Sequence, residues 1–192
     1  MSNTNTARAR SASTQAAPPR DAHFRDLGLA PDLLRAVEDL GFTTPTPVQA
    51  SAIPVALAGR DVMACAMTGS GKTAAFLLPI LQRLADGKRG RTRALILSPT
   101  RELAAQTYEQ FMPLARHTGL QGAAVFGGVG MGPQEQAFRR GVDIITATPG
   151  RILDQMNKDY ARLADIEILV LDLADRMMDM GFLPDIRRIL LR

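Results

Sequence analysis

Several features that would place this 192-residue chain in other protein classes are scarce or missing. Cys65 is the single cysteine, which excludes an internal disulfide and a cysteine-rich zinc site. Only two histidines are present, so we do not expect a metal held by nitrogen and sulfur ligands. No run of about 18 apolar residues occurs, which excludes a transmembrane helix, and no membrane partner is expected. We therefore expect a reduced, intracellular protein with a cytoplasmic location.

The N-terminal residues, 1–22, also lack large apolar side chains after Met1 and consist mainly of Ser, Thr, Ala, Arg and Pro. Such a segment buries too little surface to offset its ordering entropy, so we predict a disordered tail. It has no apolar h-region and is therefore not a secretory signal.

The remaining residues, 23–192, suit one folded domain, because apolar residues make up 46% of the chain. The formal net charge of +4 is compatible with a polyanionic partner but does not require one. We interpret the most basic stretch as a solvated loop; it contains Lys88, Arg89, Arg91 and Arg93.

Short apolar runs alternate with helical patterns along the domain. We predict strands over 61–66, 93–98, 120–126, 142–147 and 166–172. Helical spacing predicts helices over 31–40, 71–84, 102–115 and 134–140. Near-continuous apolar runs such as 168–171 are typical of parallel strands that are covered on both faces. The alternation predicts an α/β fold in which helices flank both faces of a parallel sheet.

The strongest local pattern is AMTGSGKT, which begins at Ala66 and matches the phosphate-binding pattern GxxxxGK[ST], except that alanine replaces the first glycine. Gly69 and Gly71 allow the backbone amides to turn inward, and the following helix adds its positive N-terminus. Lys72 would neutralise the β- and γ-phosphates of a nucleotide, and the Thr73 hydroxyl would bind Mg²⁺. A chance glycine turn before a helix is the alternative interpretation.

A phosphate-binding loop also needs an acidic residue that holds the water shell of the magnesium ion. Asp172 directly follows the apolar run 168–171, so it would stand at the carboxyl edge of the sheet, where open α/β sheets bind ligands. An acidic residue after a strand is usually a turn former. Combined with the phosphate-binding loop, Asp172 is better interpreted as the magnesium carboxylate, acting through water.

Further motifs give the chain a resemblance to a known family. GFTTPTPVQ at 41–49 looks like the Q motif of DEAD-box helicases, and Phe24 resembles the isolated aromatic residue that precedes this motif. The other matching segments are PTRELA at 99–104 (motif Ia), GG at 127–128, TPGR at 148–151 (motif Ib) and DLAD at 172–175, in the place of the DEAD box. The resemblance covers roughly residues 24–192 and is to the N-terminal RecA-like domain of these RNA helicases.

The resemblance implies an RNA-dependent ATPase that uses ATP and Mg²⁺ and binds single-stranded or duplex RNA. The implied ATP contacts are Phe24, Thr44, Gln49, Met67, Thr68, Gly69, Ser70, Gly71, Lys72 and Thr73. The implied catalytic residues are Lys72, Asp172 and Asp175, and the implied magnesium ligands are Thr73 and Asp172. The implied RNA contacts are Pro99, Thr100, Arg101, Glu102, Gly127, Gly128, Thr148, Pro149, Gly150 and Arg151. Such contacts hold the RNA backbone without reading its bases.

The residue types agree with these implied roles, although each has a simpler interpretation. The amide of Gln49 can donate to and accept from one adenine edge, and Phe24 could stack on the ring. Without the family, Gln49 would be a helix-surface residue and Phe24 a core anchor. Thr100 and Thr148 could equally be helix caps, and the glycines could be turns.

Leu173 departs from the family pattern, because it stands where the family has the glutamate that orients and deprotonates the attacking water. Leucine cannot accept a proton, and a positioned general base is typically worth about 10²–10⁴-fold in rate. Asp172 is retained, so we expect nucleotide binding to persist and hydrolysis to be slow or absent. The Ser-Ala-Thr motif and the second RecA-like domain of the family lie outside this chain, so we expect no unwinding by the chain alone.

Three hypotheses follow from these patterns. The first is the ATP- and RNA-binding core domain of an RNA helicase with impaired hydrolysis. The second is a non-hydrolysing, ATP-gated RNA clamp, which needs Lys72 and Asp172 but no base. The third is a different P-loop enzyme such as a small-molecule kinase, against which the family motifs argue. No sequence signal indicates an oligomeric state.

Overall fold

The computed structural model describes residues 22–191, so the predicted tail lies outside the described residues apart from Ala22. A 3-10 helix, Phe24–Leu27, opens the fold. The α-helices are α1 Pro31–Asp39, α2 Pro47–Leu57, α3 Lys72–Ala85, α4 Arg101–Ala115, α5 Met131–Arg140, α6 Pro149–Met156, α7 Ala174–Asp179 and α8 Leu183–Leu190. The strands are β1 Ala94–Leu97, β2 Gly122–Val125, β3 Ile144–Ala147 and β4 Ile168–Leu171.

The four strands lie parallel in one sheet, in the order β2-β3-β1-β4. Leu95 in the interior strand β1 pairs in register with Ile145 of β3 and with Leu169 of β4. Parallel neighbours need crossover connections, and a helix follows every strand to supply them. The loops that leave the strands therefore all open at the same edge of the sheet.

Helices cover both faces of the sheet, because alternate residues of each strand point to opposite faces. One apolar cluster joins the sheet to α1, α3 and α4, and its most buried members include Leu33, Ile53, Leu77, Leu78, Leu81, Leu84, Ala94 and Ile96. The other joins the sheet to α5, α6, α7 and α8, and its most buried members include Leu97, Val125, Ile145, Ala147, Ile152 and Met177. These two clusters confirm the predicted α/β fold with helices on both faces.

The predicted strand over 61–66 is wrong. The segment joins no ladder within residues 22–191, and the side chains of residues 61–65 are exposed, with Met63 at 93% and Val62 at 44%. A strand exists only where a neighbour completes its backbone hydrogen bonds, and an apolar run does not report whether a neighbour is present. β4 forms as predicted, but it is an edge strand and its four residues are only half-buried.

The interpretation of the basic stretch as a solvated loop is right for Lys88 and Arg89, which are exposed outside any helix or strand, and wrong for the buried Arg93. Three of its arginines form ion pairs at the amino end of the sheet: Arg89 with Asp143, Arg91 with Asp165 and Arg93 with Glu167. Arg93 is only 5% exposed; its guanidinium contacts Glu167 at 2.7 and 3.2 Å and donates to the Leu84 carbonyl at 3.0 Å. A buried guanidinium is tolerated only when its N–H groups are paired. Local sequence could not reveal this, because Glu167 lies 74 residues away.

The four predicted helices are confirmed as α1, α3, α4 and α5, with small shifts of their ends. No bounds were predicted for α2, α6, α7 or α8. α2 begins at Pro47 and contains Pro54, and an internal proline argues against a helix. α7 and α8 are short, at six and eight residues, so each has only about two turns in which a helical repeat could be recognised. None of the helices in the described part of the chain is both long and apolar enough to cross a membrane.

Candidate functional site

The motif segments meet at the carboxyl edge of the sheet. Segments 99–104, 127–128, 148–151 and 172–175 directly follow β1, β2, β3 and β4. The strand order places the first three next to one another, over β2, β3 and β1, with Asp172 beyond them at the end of β4. One part of this edge therefore carries the glycine pair 127–128 with Arg101 and Arg151, and the other part carries Asp172.

The phosphate loop, residues 66–73, leads into α3, whose N-cap is Gly71. Gly69 and Gly71 have φ angles of +78° and +87°, in the left-handed region that favours glycine, as the turn of the loop requires. The Ser70 hydroxyl is buried without a hydrogen-bond partner. Because an unpaired buried hydroxyl costs free energy, its position fits contact with an oxygen-rich ligand such as a phosphate.

Lys72 and Asp172 bring opposite charges to this loop. The Lys72 ammonium donates to the carbonyl oxygens of Ala66 and Met67, at 2.5 and 2.8 Å, and so lies within the loop. Burial raises the pKa of the Asp172 carboxyl above its ordinary value, while the charge of Lys72 and the backbone amide of Leu173 partly lower it. Lys72 thus offers a cation for phosphate oxygens, and Asp172, whose pKa responds to that charge, offers a carboxylate for a divalent ion.

Leu173 is the N-cap of α7, with φ 55° and ψ 51°. Among the residues that the structure describes, it is the only non-glycine residue with a positive φ. This conformation costs an L-residue roughly 1–2 kcal/mol, so the turn from β4 into α7 imposes it. Strained backbone of this kind is concentrated at functional positions. The half-buried leucine side chain nevertheless brings no polar atom to the site.

Gln49 connects the Q segment to the phosphate loop. Its Nε2 donates to the Gly71 carbonyl at 3.1 Å, and its Oε1 accepts from the Thr46 amide at 2.9 Å. Thr46 Oγ1 accepts from the Gln49 amide in return, which completes a capping box at the start of α2. Gln49 is 4% exposed, so the simpler interpretation as a helix-surface residue is wrong. Thr44 is exposed just before this cap.

Phe24 lies in the 3-10 helix, 5% exposed, with its ring stacked on Phe42 at a centroid distance of 6.4 Å. In this arrangement it is a core residue, as the simpler interpretation held. Gln82 of α3 fastens the turn that follows: its Oε1 accepts from the Ala30 amide at 2.8 Å, and its Nε2 donates to the Gly28 carbonyl at 3.0 Å. Gln82 was not predicted from the sequence, because its partners are more than fifty residues away and it belongs to no recognised motif.

In motif Ia, Thr100 caps α4, since its Oγ1 accepts from the Leu103 amide at 3.3 Å. Pro99 is buried. Arg101 forms a 2.7 Å ion pair with Glu102, and both side chains are exposed. The hydrogen bond from Arg101 lowers the pKa of the Glu102 carboxyl. Motif Ia therefore combines a helix cap with an exposed guanidinium, and the capping interpretation and the predicted binding role are compatible.

The two predicted arginines lie against the glycine pair. A Cβ built on Gly128 would lie 2.7 Å from Arg101 Nη1, and one built on Gly127 would lie 3.9 Å from Arg151 Nη2. Gly128 also has a φ of +81°, so both its backbone and its surroundings call for glycine. We refer to Arg101, Gly127, Gly128 and Arg151 as the GG patch. Three motifs that are separate in sequence form one surface there.

The remaining predicted residues contribute less directly. Thr148 occupies the N-cap position of α6, but its side chain makes no cap hydrogen bond, so the interpretation of its hydroxyl as a helix cap is wrong. Pro149 is buried at the start of that helix, whereas Gly150 is exposed. Asp175 is exposed in the first turn of α7.

The oxygen donors at the phosphate loop fit magnesium. Within residues 22–191, no group of three or more His, Cys, Asp or Glu side chains could hold a metal ion by itself. Magnesium is instead commonly held by one or two protein oxygens, by phosphate oxygens and by water. The Thr73 hydroxyl and the Asp172 carboxylate are hard oxygen donors of this kind.

A glycine-rich loop at a helix N-terminus, a lysine within it and a carboxylate ending a parallel strand define a P-loop nucleoside-triphosphate-binding domain. The chain belongs to the DEAD/DEAH box helicase family, whose model matches residues 46–192. This match confirms the resemblance seen in the sequence motifs.

Several relatives support the same assignment. DEAD-box ATP-dependent RNA helicase 52A of Oryza sativa subsp. japonica is 47% identical over 190 residues, which is 91% of this chain and 31% of that protein. ATP-dependent RNA helicase SrmB of Escherichia coli (strain K12) is 49% identical over 169 residues, which is 86% of this chain and 38% of that protein. Probable ATP-dependent RNA helicase ddx27 of Dictyostelium discoideum is 48% identical, over 22% of its length. The chain thus spans well under half of these relatives.

Proposed function

We propose that this chain is the ATP- and RNA-binding core domain of an RNA helicase in which Leu173 impairs hydrolysis. In the whole protein, ATP binding and turnover at this domain would be coupled to RNA duplex unwinding. The observation that supports the proposal is the phosphate loop 66–73 at the start of α3, together with Asp172 at the carboxyl end of β4, whose pKa the charge of Lys72 partly lowers. A cytoplasmic location is part of the proposal and agrees with a free cysteine, Cys65.

ATP would bind with its base near Gln49 and its phosphates in the loop. The Gln49 amide has one partner on its nitrogen and one on its oxygen, which leaves one N–H and one lone pair for an adenine edge. The backbone N–H groups of the loop, the N-terminus of α3 and the Lys72 ammonium would bind the phosphates. A bound magnesium ion would offset phosphate charge, held by the Thr73 hydroxyl and, through water, by Asp172.

Hydrolysis requires a water that is oriented and deprotonated beside the γ-phosphate. Leu173 occupies the position that follows Asp172, but its side chain carries neither a hydrogen-bond donor nor an acceptor. The proposal is therefore that binding is retained while the chemical step is slowed by about 10²–10⁴-fold.

RNA would contact the GG patch. Two guanidinium groups beside a glycine pair form a surface that suits phosphate oxygens, because guanidinium and backbone N–H groups both donate to them. Such contacts position the RNA backbone without reading its bases, which supports sequence-independent binding.

Calorimetric titration with Mg·ATP tests the nucleotide site. We expect heat of binding with the native chain, a strong loss with Lys72→Ala, and no change with Lys88→Ala, which removes an exposed lysine elsewhere. Asp172→Asn should weaken binding with magnesium more than binding without it. No detectable heat with the native chain, or equal heat with Lys72→Ala, would reject the proposal.

Leu173 also favours a second function, a non-hydrolysing ATP-gated RNA clamp. A clamp needs the phosphate loop and Asp172 but no general base. The clamp hypothesis predicts that ATP raises the affinity for RNA while no phosphate is released, even when a second RecA-like domain is present. Measurable RNA-stimulated phosphate release would instead support the slow helicase.

A further inference from the structure

Gln134 is a buried polar residue next to the GG patch. It lies in the first turns of α5 and is 4% exposed, on the same buried face of that helix as the core residue Phe138. A buried amide costs free energy unless both its N–H groups and its oxygen find partners. The partners of Gln134 therefore indicate why glutamine is present at this position.

The amide of Gln134 joins two different elements. Its Nε2 donates to the Phe126 carbonyl at 3.1 Å and approaches the Gly130 carbonyl at 3.5 Å, at the two ends of the loop that contains the glycine pair. Its Oε1 accepts from Arg151 Nη1 of α6 at 3.4 Å. The same Arg151 nitrogen also donates to the Val129 carbonyl of the loop at 3.4 Å.

Only an amide satisfies both sides of this arrangement. The loop carbonyls need a donor, whereas the Arg151 guanidinium needs an acceptor. A glutamate would accept from Arg151 but leave the carbonyls without a donor, and it would neutralise the guanidinium charge. A leucine of similar size would fill the space and satisfy neither group.

We propose that Gln134 is a positioning residue for RNA binding, which holds the 126–130 loop and Arg151 in the geometry of the GG patch. This inference rests on the proposed RNA contact of that patch. Gln134 is not itself a phosphate contact, because its side chain is buried. It acts by holding the Gly127 and Gly128 amides beside the Arg151 guanidinium, which has further N–H groups that can donate to a phosphate.

The test compares RNA affinity and its salt dependence across variants of this chain. A fluorescein-labelled oligouridylate is titrated by anisotropy at several salt concentrations, with native chain, Gln134→Leu, Gln134→Glu, Arg151→Met and the double variant Gln134→Leu/Arg151→Met. Gln136→Leu is the matched control, because Gln136 is an exposed glutamine on the same helix.

We expect Gln134→Leu to weaken RNA binding by about three- to tenfold, as loss of one charge-assisted contact would. The slope of log affinity against log salt should fall by roughly 0.7, the amount for one lost phosphate contact on a single strand. Arg151→Met should show the same slope change, and the double variant should be no worse than Arg151→Met alone, because both act through one contact. Gln134→Glu should also weaken binding, and Gln136→Leu should not.

Thermal melting and Mg·ATP titration identify a variant that fails to fold. If Gln134→Leu does not fold, Gln134→Glu, which has the same shape, decides the question by itself. Native-like RNA affinity and salt slope in either folded variant overturn the inference, as do additive losses in the double variant. If Arg151→Met weakens binding but the Gln134 variants do not, only this inference fails. If the native chain binds no RNA, the proposed RNA contact fails together with it.

Discussion

Gln49 and Gly71 are joined by a hydrogen bond of 3.1 Å, from a side-chain amide in α2 to the carbonyl that precedes α3. A Cβ on Gly71 would lie 2.5 Å from that amide nitrogen, so the contact also depends on glycine. The segment proposed to recognise adenine is therefore hydrogen-bonded directly to the phosphate loop. A substitution in one should alter ligand binding at the other.

The first prediction is that Gln49→Ala weakens binding of phosphates as well as of adenine. Loss of one hydrogen bond should raise the Kd by about two- to tenfold for both Mg·ATP and Mg·tripolyphosphate, measured by calorimetry. Gln106→Ala, at an exposed glutamine of α4, is the control and should change neither. An unchanged tripolyphosphate affinity would mean that Gln49 acts on the base alone.

The second prediction concerns Gln82, which fastens the turn after Phe24 through Gly28 and Ala30. Gln82→Leu should lower stability by about 1–2 kcal/mol, because two backbone groups lose their partner. The family resemblance implies that Phe24 contacts the adenine although it is buried here, so loosening its segment should also weaken Mg·ATP binding. Mg·tripolyphosphate binding should stay intact, since the Phe24 segment does not belong to the phosphate loop.

Denaturant unfolding and the same two titrations check this prediction. Gln110→Leu, at an exposed glutamine of α4, is the matched control. Equal losses for ATP and tripolyphosphate would show instead that Gln82 supports α3 as a whole.

The third prediction is that Leu173→Glu raises the single-turnover rate of ATP hydrolysis by about 10²–10⁴-fold, in a protein extended through a second RecA-like domain. The backbone strain at this position is the same for both residues, so the gain would report the carboxylate. Leu173→Gln has a similar shape but is a very weak base, and it should remain slow. If the leucine protein already hydrolyses ATP at the rate of the glutamate variant, the inferred defect does not exist.

The fourth prediction is a pH dependence of stability from Glu167. The hydrogen bonds from Arg93 lower the pKa of the Glu167 carboxyl below its ordinary value of 4.5. A lowered pKa means that the pair stabilises the fold above pH 4.5, and that this contribution is lost as the pH falls through the lowered value. Because Glu167 is partly exposed, the contribution should be about 1 kcal/mol or less.

Denaturant unfolding of the native chain and of Glu167→Gln across this pH range checks the prediction, and the difference between them should shrink at low pH. Glu135→Gln is a close control, because Glu135 and Glu167 have the same exposure of 36%, but the partner Arg139 is 63% exposed and Arg93 only 6%. A difference that stays constant with pH would contradict the prediction.

Much of the site could be predicted because its residues belong to motifs with short, defined spacings along the chain. The phosphate loop needs glycines at two defined points, and Gly69 and Gly71 have the positive φ angles that the pattern implies. Asp172 follows an apolar run, and the structure places it at the carboxyl edge as expected. The sequence showed that Leu173 departs from the family motif, but it did not show that its backbone is left-handed. That conformation depends on the turn that connects β4 to α7.

The failures all depend on distant partners. Residues 61–66 have the composition of a strand but no neighbour in the described sheet. Arg93 looked like part of a solvated loop until the fold placed Glu167 beside it. Gln82 and Gln134 match no motif, and their importance comes from backbone carbonyls and a guanidinium that folding brings to them.

By itself, the amino-acid sequence determined most of the alternation of strands and helices, through periodicity, and the phosphate loop, through spacing. The family, and the leucine in place of its glutamate, followed from the resemblance of the motifs to that family. The tertiary structure alone decided the strand order, which places the GG patch over β2, β3 and β1 and Asp172 at the end of β4. It also decided which buried amides hold the site together. The strand order and the partners of the buried amides depend on contacts between residues far apart in the chain. Such contacts produce no recognisable pattern in the local sequence.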